Sequence, residues 1–289
     1  MANNVNTKAR GPIIEVIQRL AKNKAAMIGL AIVILLIVLA LTAPLFYDYE
    51  QDIIKQNIPE RFQKPNKDHL FGTDEFGRDL FARIIYGSRV SLSIGFSSVA
   101  VAFLVGGFLG AVAGYFGGWL DNIIMRFMDI FLAIPGTLFA ITIAAALGDS
   151  IRNLIIALAI SSVPGFARIL RSSVISVRDV EFIEAAKAIG ASDGRIITQH
   201  VIPNALAPVI VHTTLNVATI ILTIAGLSFL GLGIRPPRPE WGQILSDGRS
   251  VILTYPHITA SAGFAIMITI LALNLLGDGL RDALDPRLK

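Results

Sequence analysis

The sequence predicts an all-α membrane protein with six transmembrane helices, and two observations carry that prediction. Of the 289 residues, 54% are hydrophobic and only 16% charged, too little polar surface for a water-soluble domain of this size. The apolar residues are also gathered into long charge-free runs. Most reach the length of about 18 residues or more that a helix needs to cross roughly 30 Å of hydrocarbon.

The chain divides into a tail over residues 1–24 and a membrane domain over residues 25–289. In the tail, Gly11 and Pro12 can open a short helix with Ile13, Val16, Ile17 and Leu20 on one face and Glu15, Gln18, Arg19 and Lys22 on the other. Such a helix suits the lipid interface. The first span runs from Ala25 to Pro44, and no small-residue cleavage pattern follows it, so it reads as an uncleaved anchor. The second, Val90 to Leu120, carries Gly106, Gly110, Gly114 and Gly118 at four-residue spacing, a ridge that lets another helix approach closely in lipid. The third is Ile130 to Leu147. The fourth run, Leu154 to Ala167, is short and contains Pro164, so its length alone is compatible with a buried or re-entrant helix. Continued through Arg168 and Arg171, whose stems can snorkel to the headgroups, it reads as a span. Ala205 to Ile234 and Val251 to Gly277 complete the set.

With six spans both termini share one side, which holds slightly more than half of the 25 Lys and Arg residues. Arg19, Lys22 and Lys24 stand directly before the first span, which places both termini in the cytoplasm.

The chain lacks the parts of an enzyme. No Gly-x-x-x-x-Gly-Lys-Ser/Thr phosphate loop occurs, and His69, His200, His212 and His257 are scattered. His69, Asp74, Glu75 and Asp79 could be drawn as a metal cluster, but acidic residues in a turn are ordinarily caps, so no metal site is expected. There is no cysteine for a disulfide or a thiolate site, and a net charge of +4 gives no reason to expect a nucleic-acid partner.

The informative polar segment spans about Val177 to Pro203. Glu181 to Ile189 is written in helix-forming residues, stopped by Gly190 and restarted at Ser192 or Asp193. Val180, Ile183 and Ala186 recur at three-residue spacing, beside Glu181, Glu184 and Lys187. A helix of that form can dock in another protein's groove, or pack on its own membrane domain.

Glu184-Ala185-Ala186-x-x-x-Gly190, with Pro203 beyond it, resembles the cytoplasmic loop motif of ABC importer permeases, although His200 and Ile202 stand where isoleucine and leucine are usual. Three further segments narrow the resemblance. They are Phe71-Gly72-Thr73-Asp74-Glu75-Phe76-Gly77-Arg78-Asp79, the stretch from Ser228 to Gly233 with Pro236 to Gly242, and the ending from Leu276 to Arg287. Together they resemble the C-type permease subunit of the dipeptide/oligopeptide (peptide/nickel) ABC importer family, over about Arg19 to Leu288.

The resemblance implies a type I ABC importer permease fold in a bacterial cytoplasmic membrane, working with a second homologous permease subunit. It also implies two ABC ATPase subunits that hold ATP and Mg, an extracytoplasmic solute-binding protein and a peptide substrate. This chain itself would bind no cofactor. Glu184, Ala185, Ala186, Lys187, Gly190 and Pro203 would couple it to the ATPases. Asp74, Arg78, Arg235, Arg238 and Trp241 would receive the binding protein. Asp74 is read as capping a helix that lays Leu80, Phe81, Ile84 and Ile85 on the membrane. Pro236, Pro237 and Pro239 would stiffen the second docking segment, and Trp241 would sit in the interface. A proton-coupled carrier would need ionisable groups at mid-membrane, and His212 and His257 are the candidates the runs contain.

Overall fold

The computed structural model describes residues 12–284; the start of the tail and the last residues of the C-terminal motif lie outside the described residues. Helix α1, Pro12–Lys22, starts at the expected proline and carries an Arg19–Glu15 ion pair at 2.6 Å. Asn23 then caps α2, Lys24–Phe46, by accepting from the Ala26 N–H at 3.1 Å. The buried residues of α2 are Ala26, Gly29, Val33, Ala40 and Ala43, a single narrow seam. At Gly29 a Cβ would stand 2.6 Å from the Ala272 carbonyl oxygen, so α2 lies against α12, Pro256–Leu284, with backbone nearly on backbone.

Helix α3, Leu80–Phe116, starts at Leu80 rather than Val90 and is longer than a bilayer needs. Its cap is Asp79, which accepts from the Ala82 N–H at 2.7 Å, and not Asp74. Leu80 and Ile84, expected on a membrane-lying face, are buried in the first turns of this continuous helix. The glycine ridge meets α6, Ile151–Arg178, in the most extensive helix pairing of the fold. A Cβ on Gly106 would stand 2.5 Å from the Val163 carbonyl oxygen, one on Gly114 2.8 Å from that of Arg171, and one on Gly110 would collide with that of Ala167. Gly118 is not part of the ridge: Gly117 caps the end of α3, and Gly118 has φ +60 and a Cβ there would meet nothing within 4 Å.

The third span is the broken one. Helices α4, Gly118–Leu132, and α5, Gly136–Leu147, meet at an 86° bend around Pro135, whereas the Pro164 segment runs unbroken inside α6. Arg168 and Arg171 of α6 do not snorkel alone. Arg171 grips Asp121 of α4 with two nitrogens at 2.5 and 2.6 Å, and Arg168 reaches Asp129 at 2.8 Å. The fifth span is α10, Ala207–Phe229, and α12 lies between α2 and α10. Among the described residues, five helices are long and apolar enough to cross a membrane, six if the bent pair is one span.

Candidate functional site

Between α6 and α10 the chain leaves the bundle as α7, Glu181–Ala188, followed by α8, Asp193–Ile196, a π-helical turn at Ile197–Val201 and α9, Ile202–Ala205. The end of α7 is a Schellman motif: the Gly190 N–H donates to the Lys187 carbonyl at 3.0 Å and the Ala191 N–H to that of Ala186 at 3.1 Å. Gly190 has φ +81, a conformation that other residues adopt only with strain.

Periodicity located the apolar strip of α7 but not what it faces. Ile183 and Ala186 are buried against this chain's own core, so of the strip only Val180 remains open. The outward surface instead carries Glu181, Phe182, Glu184, Ala185, Lys187 and Ile189, the last with 86% of its surface exposed. Phe182 was missed because it falls off the three-residue strip, and Ile189 because it continues that spacing just past the end of α7, where the strip has turned outward; their signal is an apolar side chain on the charged side. Glu184 forms no ion pair among the described residues. Lys187, its sequence neighbour at three-residue spacing, lies 5.6 Å from the Tyr115 ring, while the Tyr115 hydroxyl donates to Asp193 at 2.7 Å. The loop is thus fastened to the end of α3 on one side and free on the other. Pro203 is exposed in the first turn of α9.

At the opposite end, residues 71–79 fold into a closed turn. The Asp74 carboxylate accepts from the Phe76 and Arg78 N–H groups at 2.9 and 3.0 Å and from Arg78 Nε at 2.7 Å, with Arg83 Nε 3.5 Å away. Arg83 in turn donates to the Ile53 carbonyl at 2.9 Å. His69 and Asp79, drawn above as possible metal ligands, hydrogen-bond to each other at 2.7 Å. Helix α11, Trp241–Asp247, is capped by Glu240, which accepts from the Gly242 and Gln243 N–H groups and from Ser91 and Ser228 at 3.0 and 2.8 Å. Burial raises the carboxyl pKa of Asp247, only partly offset by its Gln243 hydrogen bond and by Arg83 and Arg78, and burial together with the Asp247 and Asp74 charges raises that of Glu75 against Arg78.

Three expected docking residues are therefore interior. Asp74 and Arg78 are buried, and Trp241, 1% exposed, donates its indole N–H to the Ile84 carbonyl at 2.9 Å instead of sitting in the lipid interface. Arg235 and Arg238 are on the surface, and Arg235 pairs with Asp149.

A bundle of spans with a short helix held out on a loop between two of them has the form of a transport permease. The profile described as binding-protein-dependent transport system inner membrane component matches residues 106–289, and that of the N-terminal TM domain of oligopeptide transport permease C matches residues 11–65. The chain belongs to this permease family, on its C-type peptide and nickel importer branch. It is 50% identical to the dipeptide transport system permease protein DppC of Alkalihalophilus pseudofirmus, over 97% of this chain and 92% of that one. It is 43% identical to the glutathione transport system permease protein GsiD of Escherichia coli, over 98% and 93%. Among solved structures, the MetNI methionine ABC transporter in inward-facing form aligns at a TM-score of 0.59 and 19% identity, covering 70% of this chain and 96% of that one. An amino acid ABC transporter with histidines aligns at 0.54 and 17%, covering 70% and 94%. At those identities the likeness concerns the fold.

Proposed function

We propose that this chain is one of two related permease subunits that together enclose a route for di- or oligopeptides across the cytoplasmic membrane, with both termini inside. The observation that carries the peptide assignment is the 50% identity to a dipeptide permease along nearly the whole chain. Two ABC ATPase subunits, which hold ATP and Mg, dock on α7 from the cytoplasm, and a solute-binding protein delivers peptide to the outer loops near Arg235 and Arg238. ATP binds more tightly to one arrangement of the complex than to the other, and that difference drives the shift between inward-open and outward-open states. Glu184 transmits the movement. Its carboxylate forms no ion pair among the described residues, Ala185 beside it leaves room for a groove wall, and a cation of the ATPase would hold it as a charge-assisted tether.

The test is uptake of a labelled dipeptide into proteoliposomes holding the complete transporter, with ATP and the binding protein. Wild type accumulates peptide; Glu184→Lys loses uptake and binds its ATPases more weakly while its spans remain folded. If Glu184 only served its own helix, the loss would be about 0.3–0.5 kcal/mol and uptake would be normal.

A further inference from the structure

Helix α6 carries two ion pairs to α4, and they are built differently. Arg171 is forked onto Asp121, and the pair is largely covered, at 31% and 14% exposure. Arg168 touches Asp129 through one nitrogen, and both side chains are open, at 56% and 51%. Guanidinium offers five N–H donors, and Arg168 uses one of them among the described residues. The open pair lies where the apolar run Leu154 to Ala167 ends: a slab of roughly 30 Å centred on that run would extend to about Leu170, so Arg168 falls just inside its edge.

An exposed charge pair at that depth is costly against lipid and is found where a helix faces water or a polar partner. In the C-terminal half of α6 the rest of that face is polar or small, while Leu154 and Leu158 on the same arc are buried. Gly165, Arg168, Ser172 and Ser176 fall within about 80° of one another at the helical 100° per residue. The face packed on the α3 glycines, with Val163 and Ala167, lies on the other side of the helix. Gly165 borders α10 at His212, whose Nε2 would be 3.6 Å from a Cβ at that position. His212 and Ser176, but neither Arg168 nor Asp129, line a cavity of about 680 Å³ between the ends of α6, α10 and α12.

We propose that Arg168 takes the carboxylate of a peptide in transit, with Asp129 as its resting partner and as the group that meets the peptide's ammonium. The proposal rests on the importer reading above. A carboxylate matches the unused guanidinium donors as a bidentate partner, which a single contact to Asp129 leaves room for. A zwitterionic peptide would open the pair and satisfy both halves, so no bare charge is left inside the membrane during passage.

The complete transporter in proteoliposomes tests this with dipeptide uptake. Arg168→Gln should lower uptake about tenfold, the scale of one charge-assisted hydrogen bond, with ATPase assembly and melting temperature unchanged, and Arg168→Lys should recover part of it. The exchange Arg168→Asp with Asp129→Arg should stay defective, because the charges are then presented from the wrong helices. Since the native chain has no cysteine, Ser172→Cys reports solvent directly: a charged thiol reagent should label it, and saturating peptide with binding protein should slow the labelling. Restored uptake in the exchange variant would make the pair a structural clip and overturn the proposal. So would protection of Ser172→Cys from the charged reagent, which would place the face against lipid or the second permease. If wild type moves dipeptide and Arg168→Gln moves it equally, this proposal alone fails; if wild type moves none, the importer reading fails and takes the substrate with it.

Discussion

Asp74 is a residue whose loss the turn before α3 should tolerate badly. Among the described residues it is the carboxylate shared by Arg78 and Arg83, all three are buried, and it also accepts two backbone N–H groups. Removing one partner of a buried pair leaves an uncompensated charge and costs about 3–5 kcal/mol. Asp74→Ala should therefore lower the unfolding temperature of the detergent-solubilised complex sharply, while Asp68→Ala, on an exposed side chain of the same loop, should leave it within experimental error. Asp247 supplies a pH signature. Its folded-state pKa is raised, chiefly by burial, so the folded protein binds a proton more tightly than the unfolded chain does. That contribution to stability is fully present below the ordinary carboxylate pKa and is lost as pH rises through the raised value. Melting temperatures from pH 4 to 7 should accordingly fall more steeply with pH for wild type than for Asp247→Asn; equal slopes would show that the shift is absent.

At the scale of elements, the glycine contacts of α3 make graded predictions. Gly110→Ala puts a methyl group into the Ala167 carbonyl, and overpacking of this kind costs about 1–3 kcal/mol. Gly107→Ala meets Leu170 at an ordinary 3.5 Å and should be nearly neutral, so the two variants separate a close helix contact from a general need for glycine in α3. Gly190→Ala meets nothing within 4 Å, but φ +81 is strained for alanine, so a loss of about 1 kcal/mol should appear as fraying of α7 in hydrogen exchange. The spans were legible because hydrocarbon demands length and apolarity, and the ridge because its spacing is local. Pro135 and Gly136 mark a break in plain sight, yet the angle is a tertiary property: Asp121 and Asp129 on α4 must both reach α6, and nothing near Pro135 encodes that. Around the site, α7 and its stop were legible for the same local reasons. The burial of Ile183 and Ala186 was not, because a periodic strip does not say which neighbour covers it. Trp241 misled the reading because an indole near a span end serves equally as an interfacial anchor or as a donor to an interior carbonyl.

For the whole molecule the decisive measurement is sidedness. Ser192→Cys, in the α7 loop, and Lys64→Cys, in the loop before α3, are both exposed, and the cysteine-free background makes each a single probe. In intact cells with a permeable outer membrane, an impermeant thiol reagent should label Lys64→Cys and spare Ser192→Cys; the reverse would invert the topology and remove α7 from any cytoplasmic partner.

The glycine ridge also limits how such a subunit can move. Where the backbone of α3 lies on the Val163, Ala167 and Arg171 carbonyls, each glycine is a notch seated on the ridge opposite. Sliding the helices past each other by a fraction of a turn would lift every notch onto a side chain at once, and the next register is about 5.4 Å away. The pair should therefore move as one unit. A displacement applied where α6 meets the α7 loop should reach the turn that begins α3 with little loss, and the bend between α4 and α5 is where compliance is to be sought.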